Sequence, residues 1–173
     1  MPITGVYRIP DGVVTVRDAA FCATQTSKII VPASVVTIGD SAFEENKMST
    51  IEFEAGTNLK TVGKSAFIYT QNIPELILPD GVTSVGGNMV CGSNIRTVIL
   101  PSTTTTIGDN IFNGAYNLTT FKINATTPPT IGSISTYELP EDFKIVVPAG
   151  CGETYKSAAG WSTVANLIVE SAG

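Results

Sequence analysis

The sequence predicts a repeat solenoid, β-rich with short helical turns. Its first mark is a unit of Thr or Ser, an aliphatic residue and Gly: Thr37-Ile38-Gly39, Thr61-Val62-Gly63, Ser84-Val85-Gly86, Thr106-Ile107-Gly108 and Thr130-Ile131-Gly132, with Thr15-Val16-Arg17 as an imperfect first copy. Successive copies lie 22, 24, 23, 22 and 24 residues apart. A second column, Phe21, Phe43, Phe67, Val90 and Phe112, runs in phase with the first, and Pro10, Pro32, Pro79 and Pro101 each stand seven residues before the Gly position of the first column. A fixed period of this length marks stacked supersecondary units. The chain of 173 residues reads as a single solenoid domain over 1–173, with repeats of 22–24 residues over 6–127 and a C-terminal cap over 128–173.

Each unit opens on a strand. Tyr7-Arg8-Ile9, Ile29-Ile30-Val31, Ile51-Glu52-Phe53, Leu76-Ile77-Leu78, Val98-Ile99-Leu100 and Phe121-Lys122-Ile123 are apolar at their first and third positions while the middle one varies, the period of a strand with one buried face. Proline then closes the strand, because it has no N–H to give a ladder. In the copy "EFEAGTNLKTVG" proline is absent and two extra residues fall between Phe53 and Gly63, which places a loop there. The Thr-aliphatic-Gly unit reads as a second, shorter extended piece. After it, "IGDSAF" offers Asp40, like Asp18 and Asp109 in their copies, as a helix N-cap before one helical turn that points its Phe inward.

A unit of this size cannot bury its own apolar face, but stacked units can, with equivalent strands pairing in parallel about 4.8 Å apart. Each coil then places roughly five apolar side chains inside, each contributing about 1.5 to 3 kcal/mol on burial. After Pro128-Pro129 the pattern loosens, and Ile145-Val146-Val147 supplies one more strand in register. Glu153 to Ala159 reads as a short helix ended by Gly160, followed by Trp161 and the Leu167-Ile168-Val169 segment. Such an atypical end shields the last coil from water and from pairing with another molecule.

Composition narrows the function. Ten basic residues against 15 acidic give a net charge of −5 with no basic run, which disfavours nucleic acid as a partner. No apolar stretch is long enough to span a membrane. The N-terminal "MPITGVYRIPDG" has no signal-peptide pattern, so membrane contact is expected only through a removed leader or anchor.

Chemistry is sparse. The chain contains no His, which removes Ser-His and Cys-His nucleophile pairs and most zinc sites. The adjacent carboxylates Glu44-Glu45 and Glu141-Asp142 read as solvated turns. The Asp column lacks the short Gly-rich ligand loops of calcium-binding solenoids, and its members read as caps. The Thr/Ser column reads as β-branched and hydroxyl residues on an exposed strand. Cys22 and Cys91 occupy equivalent positions three coils apart, roughly 14 Å by strand spacing, well beyond the roughly 7 Å limit for a bridge. Three free thiols are therefore expected. The chain is expected not to be an enzyme, and no cofactor or metal is expected.

The phrases "KMSTIEFEAGTNLKTVGKSAF", "NIRTVILPSTTTTIGDNIF" and "SKIIVPASVVTIGDSAF" resemble the BspA-type leucine-rich repeat of bacterial surface proteins, over roughly residues 7–123. The tail, "ATTPPTIG" followed by "IVVPAGCGETYKSAAGW", is similar to the ending of such proteins from Bacteroides-like bacteria. The chain departs from the family pattern where a Cys often follows the Phe by three positions, carrying Thr24, Asn46, Thr70, Ser93 and Ala115 instead. The resemblance implies a leucine-rich-repeat-like parallel sheet of about seven strands. It also implies secretion or cell-surface display and a role in adhesion, with an extracellular protein or glycan as partner.

The middle column of that sheet, Arg8, Ile30, Glu52, Ile77, Ile99, Lys122 and Val146, faces outward with no helix in the sequence to cover it. Four of its seven members are aliphatic, the composition either of a contact site or of strand-forming residues favoured for their own sake. The flanking Lys28, Thr50, Glu75, Thr97, Thr120 and Lys144 are suited to a polar rim. Two functions fit this face: a non-catalytic binding or adhesion module, or a structural spacer that projects other domains from the cell surface.

Overall fold

The computed structural model describes residues 3–172. The chain winds as a solenoid in which each coil contributes one long strand and one short one. The long strands are β1 (Thr4–Arg8), β3 (Gln25–Val31), β5 (Thr50–Phe53), β7 (Glu75–Ile77), β9 (Thr97–Leu100), β11 (Thr120–Ile123) and β13 (Lys144–Val147). Between them come the short strands β2 (Thr15–Val16), β4 (Thr37–Ile38), β6 (Thr61–Val62), β8 (Ser84–Val85), β10 (Thr106–Ile107) and β12 (Thr130–Ile131). All pairing is parallel, and residues of the repeat columns are direct partners: Thr15 with Thr37, Thr37 with Thr61, Thr61 with Ser84, Ser84 with Thr106 and Thr106 with Thr130.

The interior is one apolar column built from the alternation of the long strands and from the Phe positions. Phe43 and Phe67 are fully buried and stack at 5.2 Å with planes 24° apart, and Phe21 stacks on Phe43 at 5.6 Å. Val90 interrupts the aromatic ladder, which resumes with Phe112 against Phe121 and Phe143 at 5.3 and 5.1 Å. Of the small polar residues three positions after the Phe column, Asn46, Thr70 and Ser93 are buried and Thr24 half-buried, and all are satisfied. Thr24, Thr70 and Ser93 each donate a hydroxyl to the carbonyl of Phe21, Phe67 and Val90, at 3.0, 2.9 and 2.7 Å. Asn46 takes the same place in its coil and donates from Nδ2 to the carbonyl of Phe21 at 3.0 Å. A hydroxyl that closes its own turn, or an amide that bonds the preceding coil, removes the desolvation cost that would otherwise exclude it from the core.

The glycine column marks close approach between coils rather than a special backbone conformation. A Cβ on Gly63 would lie 2.5 Å from the Gly39 carbonyl carbon, and one on Gly86 would lie 2.3 Å from Lys64 N. Here main chain passes over main chain, and only a residue without Cβ fits.

The expected helical turn after this glycine is not a helix. Its backbone N–H groups alternate between closing tight turns and reaching the next coil. In the second coil Glu44 N bonds Ser41 O and Asn46 N bonds Phe43 O, while Ser41, Phe43 and Glu45 donate to Lys64, Ala66 and Ile68 of the following coil at 2.8, 2.9 and 3.0 Å. This geometry needs left-handed residues four apart, at Ala19 and Ala23, Ser41 and Glu45, Ser65 and Tyr69, Asn88 and Gly92, and Asn110 and Gly114. The aspartates correct the N-cap expectation accordingly. Asp18 Oδ1 accepts from Asp40 N at 2.8 Å, Asp40 Oδ1 from Lys64 N at 2.7 Å, and Asp109 Oδ1 from Ser133 N at 2.7 Å. Each carboxylate thus ties its coil to the next, and the backbone and hydroxyl donors of Ser133 hold Asp109 below its ordinary carboxylate pKa.

The short strands form one continuous sheet in the order β12-β10-β8-β6-β4-β2. The long strands divide into β1-β3-β5 and a second group ending in β13 and β14 (Ile168–Glu170), so that β5 and β7 share no ladder. Pro74 stands at the division and lacks one of the donors that join the other coils there. At its place in neighbouring coils Ser49 N donates to Ser27 O, Arg96 N to Pro74 O and Thr119 N to Arg96 O, each at 2.9 Å. Pro74 accepts from the coil after it but has no N–H for the coil before it.

The C-terminal end is closed by α1 (Gly152–Ser157), slightly shorter than expected, a 3-10 segment over Trp161–Leu167, and β14, which pairs parallel with β13. Tyr155 and Trp161 are fully buried, packed edge to face at 5.3 Å, and bonded to the preceding coil through Tyr155 Oη to Ala125 O (2.7 Å) and Trp161 Nε1 to Pro129 O (2.8 Å). Among the described residues no helix is long and apolar enough to cross a membrane.

Candidate functional site

The outward column of the long strands is set by hydrogen-bonded register, so its members are vertical neighbours wherever their strands pair. Arg8 is opposite Ile30 and Ile30 opposite Glu52 in the first group. Ile77, Ile99, Lys122 and Val146 follow one another in the second, and Val169 of β14 extends the run. The seven expected residues are therefore brought together as a set of three and a set of four, separated at the β5/β7 division.

The two sets differ in chemistry. In the first, charge is satisfied within the protein: Arg8 bridges Asp11 at 2.7 Å and Glu54 at 2.8 Å, and Lys28 pairs with Glu52. Exposed pairs of this kind contribute little to stability, yet they leave Arg8 and Glu52 less available to a partner. In the second set the aliphatic side chains stand on a face that no other element covers. Ile77 is 51% exposed, Val169 is also exposed, and Ile99 and Val146 are half-buried by their neighbours. Lys122 lies between Ile99 and Val146 and gives the strip a positive centre. Val169 was not among the expected residues, although the aliphatic Leu167-Ile168-Val169 segment carried the signal of another strand.

All three cysteines are unpaired thiols. Burial, with the charges of Glu44 and Glu45, pushes the Cys22 thiol up, and burial, with Glu138, does the same to Cys91. Neutral thiols are poor nucleophiles. Iodoacetamide at neutral pH is accordingly expected to label Cys22 and Cys91 slowly in the folded protein. In denaturant without reductant it should label three cysteines per monomer by mass, and a count of one would reveal a disulfide. Among the described residues no three carboxylates or thiols lie close enough to hold a metal ion together.

Comparison with protein families matches residues 6–119 to the BspA type leucine rich repeat region, in six copies. Comparison with curated proteins finds no match. Among solved structures, a leucine-rich repeat protein from Eubacterium ventriosum is similar at 25% identity and a TM-score of 0.64, over 69% of this chain and 32% of that one. The pneumococcal vaccine antigen PcpA is similar at 18% identity and a TM-score of 0.56, over 84% of this chain and 51% of its own. A leucine-rich repeat protein of T. pallidum gives 22% identity and a TM-score of 0.50, over 79% and 78% of the two chains. The chain thus spans about a third of the E. ventriosum protein and about half of the pneumococcal one.

Proposed function

The chain belongs to the BspA-type leucine-rich repeat family, and from that premise we propose that it is a non-catalytic recognition module that holds an extracellular protein or glycan against its long-strand face. One observation carries this reading: on an uncovered face, Ile77 and Ile99 on one side and Val146 and Val169 on the other flank Lys122 in hydrogen-bonded register. Flat apolar strips with a polar margin are the surfaces that protein contacts desolvate. Thr97, Thr120 and Lys144 provide that margin on the same strands. Arg8, Ile30 and Glu52 form a charged extension of the face beyond the division. Family membership supports display at a bacterial cell surface, or secretion, with membrane contact only through a leader or anchor; the C-terminal sequence suggests a Bacteroides-type source, and the net charge of −5 disfavours nucleic acid.

The double substitution Ile77→Lys, Ile99→Lys tests the reading. Both side chains stand on the outer face, so the melting temperature is expected to fall by only about 2–4 °C. Binding to the protein or glycan retained from an extracellular-matrix and glycan array is expected to weaken roughly 10- to 100-fold. A variant that folds and binds as wild type does would leave the spacer reading standing instead.

A further inference from the structure

A second surface, at the corner where the turn ladder leads into the return segments, differs from the strand face in chemistry. Three tyrosines from three coils line one groove of about 450 Å³: Tyr69, Tyr116 and Tyr137, which are 45%, 47% and 65% exposed. Solvent-exposed aromatic rings carry a hydration cost that core aromatics do not, and three of them around one groove form a patch rather than scattered surface residues.

The floor of this groove is made by two glycines. The left-handed column that holds Ala23, Glu45 and Tyr69 in earlier coils holds Gly92 and Gly114 in the next two. A Cβ on Gly92 would lie 2.5 Å from both Cδ1 and Cε1 of Tyr69. The missing side chain is what allows the Tyr69 ring to lie over the backbone of the following coil. Gly114 continues the clear floor toward Glu138, whose Oε2 lies 3.8 Å from the position a Cβ would take. At the wall Asn113 is fixed by Ser135 Oγ, which donates to its Oδ1 at 2.6 Å.

Gln71 joins this groove to a second one of about 270 Å³ lined by Asn94, Asn117 and Arg96. Its amides form a ladder across the coils: Asn117 Nδ2 donates to Asn94 Oδ1 at 2.9 Å, and Asn94 Nδ2 donates to Gln71 Oε1 at 2.8 Å. Aromatic planes above a flat floor, continued by a row of carboxamides, match a ligand with C–H faces and many equatorial hydroxyls.

We propose that the connected grooves bind a neutral, pyranose-based oligosaccharide, with sugar rings stacked on Tyr69, Tyr116 and Tyr137 and hydroxyls bonded by Asn113, Asn117 and Arg96. Glu138 in the tyrosine groove and the net charge of −5 disfavour anionic glycans. A peptide is the poorer fit, because the groove offers no free strand edge to extend and no deep apolar hole for an anchor. This site is independent of the strand face, so either proposal stands without the other.

Affinity electrophoresis in gels containing soluble starch, β-glucan, glycol chitin, xylan or mannan tests it. The wild type is expected to be retarded by at least one of these neutral polysaccharides. Tyr69→Ala and Tyr137→Ala should each weaken retardation roughly five- to tenfold, while Tyr69→Phe, which keeps the ring, should change it less than about twofold. Alkylation of Cys91, which lines the same groove, should slow severalfold in a saturating oligosaccharide of the retarding polymer, whereas Cys22 should react unchanged. The Ile77→Lys, Ile99→Lys variant should be retarded like wild type. Mobility unaffected by every polysaccharide would overturn the proposal, as would retardation that survives in a folded Tyr69→Ala, Tyr137→Ala double variant. Tyrosine-dependent capture of a protein with no glycan retention would also overturn it, assigning the groove to a protein partner.

Discussion

Gly86→Ala is expected to destabilise the protein by about 3–5 kcal/mol, seen as a fall in melting temperature on the order of 10 °C. In a chain whose coils repeat every 22 to 24 residues, one methyl group would ordinarily be a minor change. Here it would stand 2.3 Å from Lys64 N and 2.5 Å from the Gly63 carbonyl carbon. Both are main-chain atoms, so no rotamer change relieves the clash. The coils must part instead, which weakens the bond from Gly86 N to Val62 O (2.8 Å) and opens the contact between the buried Val62 and Val85. Gly12 provides the control. A Cβ there meets nothing within 4 Å, but the residue has a φ of 84°. Gly12→Ala therefore carries only left-handed strain, about 1–2 kcal/mol. Equal melting temperatures for the two variants would mean that the backbones do not approach this closely.

This glycine column was legible in the sequence because stacking turns sequence period into spatial contact. Residues 22 to 24 apart must be alike where they touch, so Phe43 over Phe67 and Thr37 beside Thr61 were written as columns. What required no likeness between coils left no such trace. The segment Ser41-Ala42-Phe43 has the local character of a helical turn, but its donors at Ser41 and Phe43 are used by the next coil, and tertiary ladder formation overrides the local preference. The left-handed positions at Ser41 and Ser65 carry no glycine to announce them. Asp40 looks like a cap because aspartate accepts backbone N–H groups, and it does accept one, but from Lys64 rather than from its own turn.

The candidate sites divide in the same way. The outward positions of the long strands followed from alternation, including the aliphatic Ile77 and Ile99. Their separation from Arg8, Ile30 and Glu52 falls at Pro74, whose missing donor a reading aligned on Leu76 passes over. The tyrosine groove was illegible as a column, since Tyr69, Tyr116 and Tyr137 occupy different positions in their coils. The change from Tyr69 to Gly92 and Gly114 at one repeat position was its one trace in the sequence.

Trp161→Ala is expected to be as costly as the glycine substitution but for the opposite reason, since it removes the closure of the stack instead of forcing coils apart. Truncating a fully buried tryptophan costs about 3–5 kcal/mol. The loss of its Nε1 donor also leaves the Pro129 carbonyl without the 2.8 Å bond that ties the cap to the preceding coil. Water entering the cavity would reach the edge of Tyr155, whose hydroxyl bond to Ala125 O is the other tie to the same coil. Stability in stacked repeats is approximately a sum of coil and nearest-neighbour terms, so damage at an end propagates inward. Amide exchange in Trp161→Ala should therefore rise first in β13 and β14, then in β11, with β3 and β5 least affected. Trp161→Phe, which keeps an aromatic ring against Tyr155 but loses the donor, should recover more than half of the lost stability. An exchange pattern raised uniformly from β1 to β14 would show that the chain unfolds as one unit and that the cap does not govern fraying.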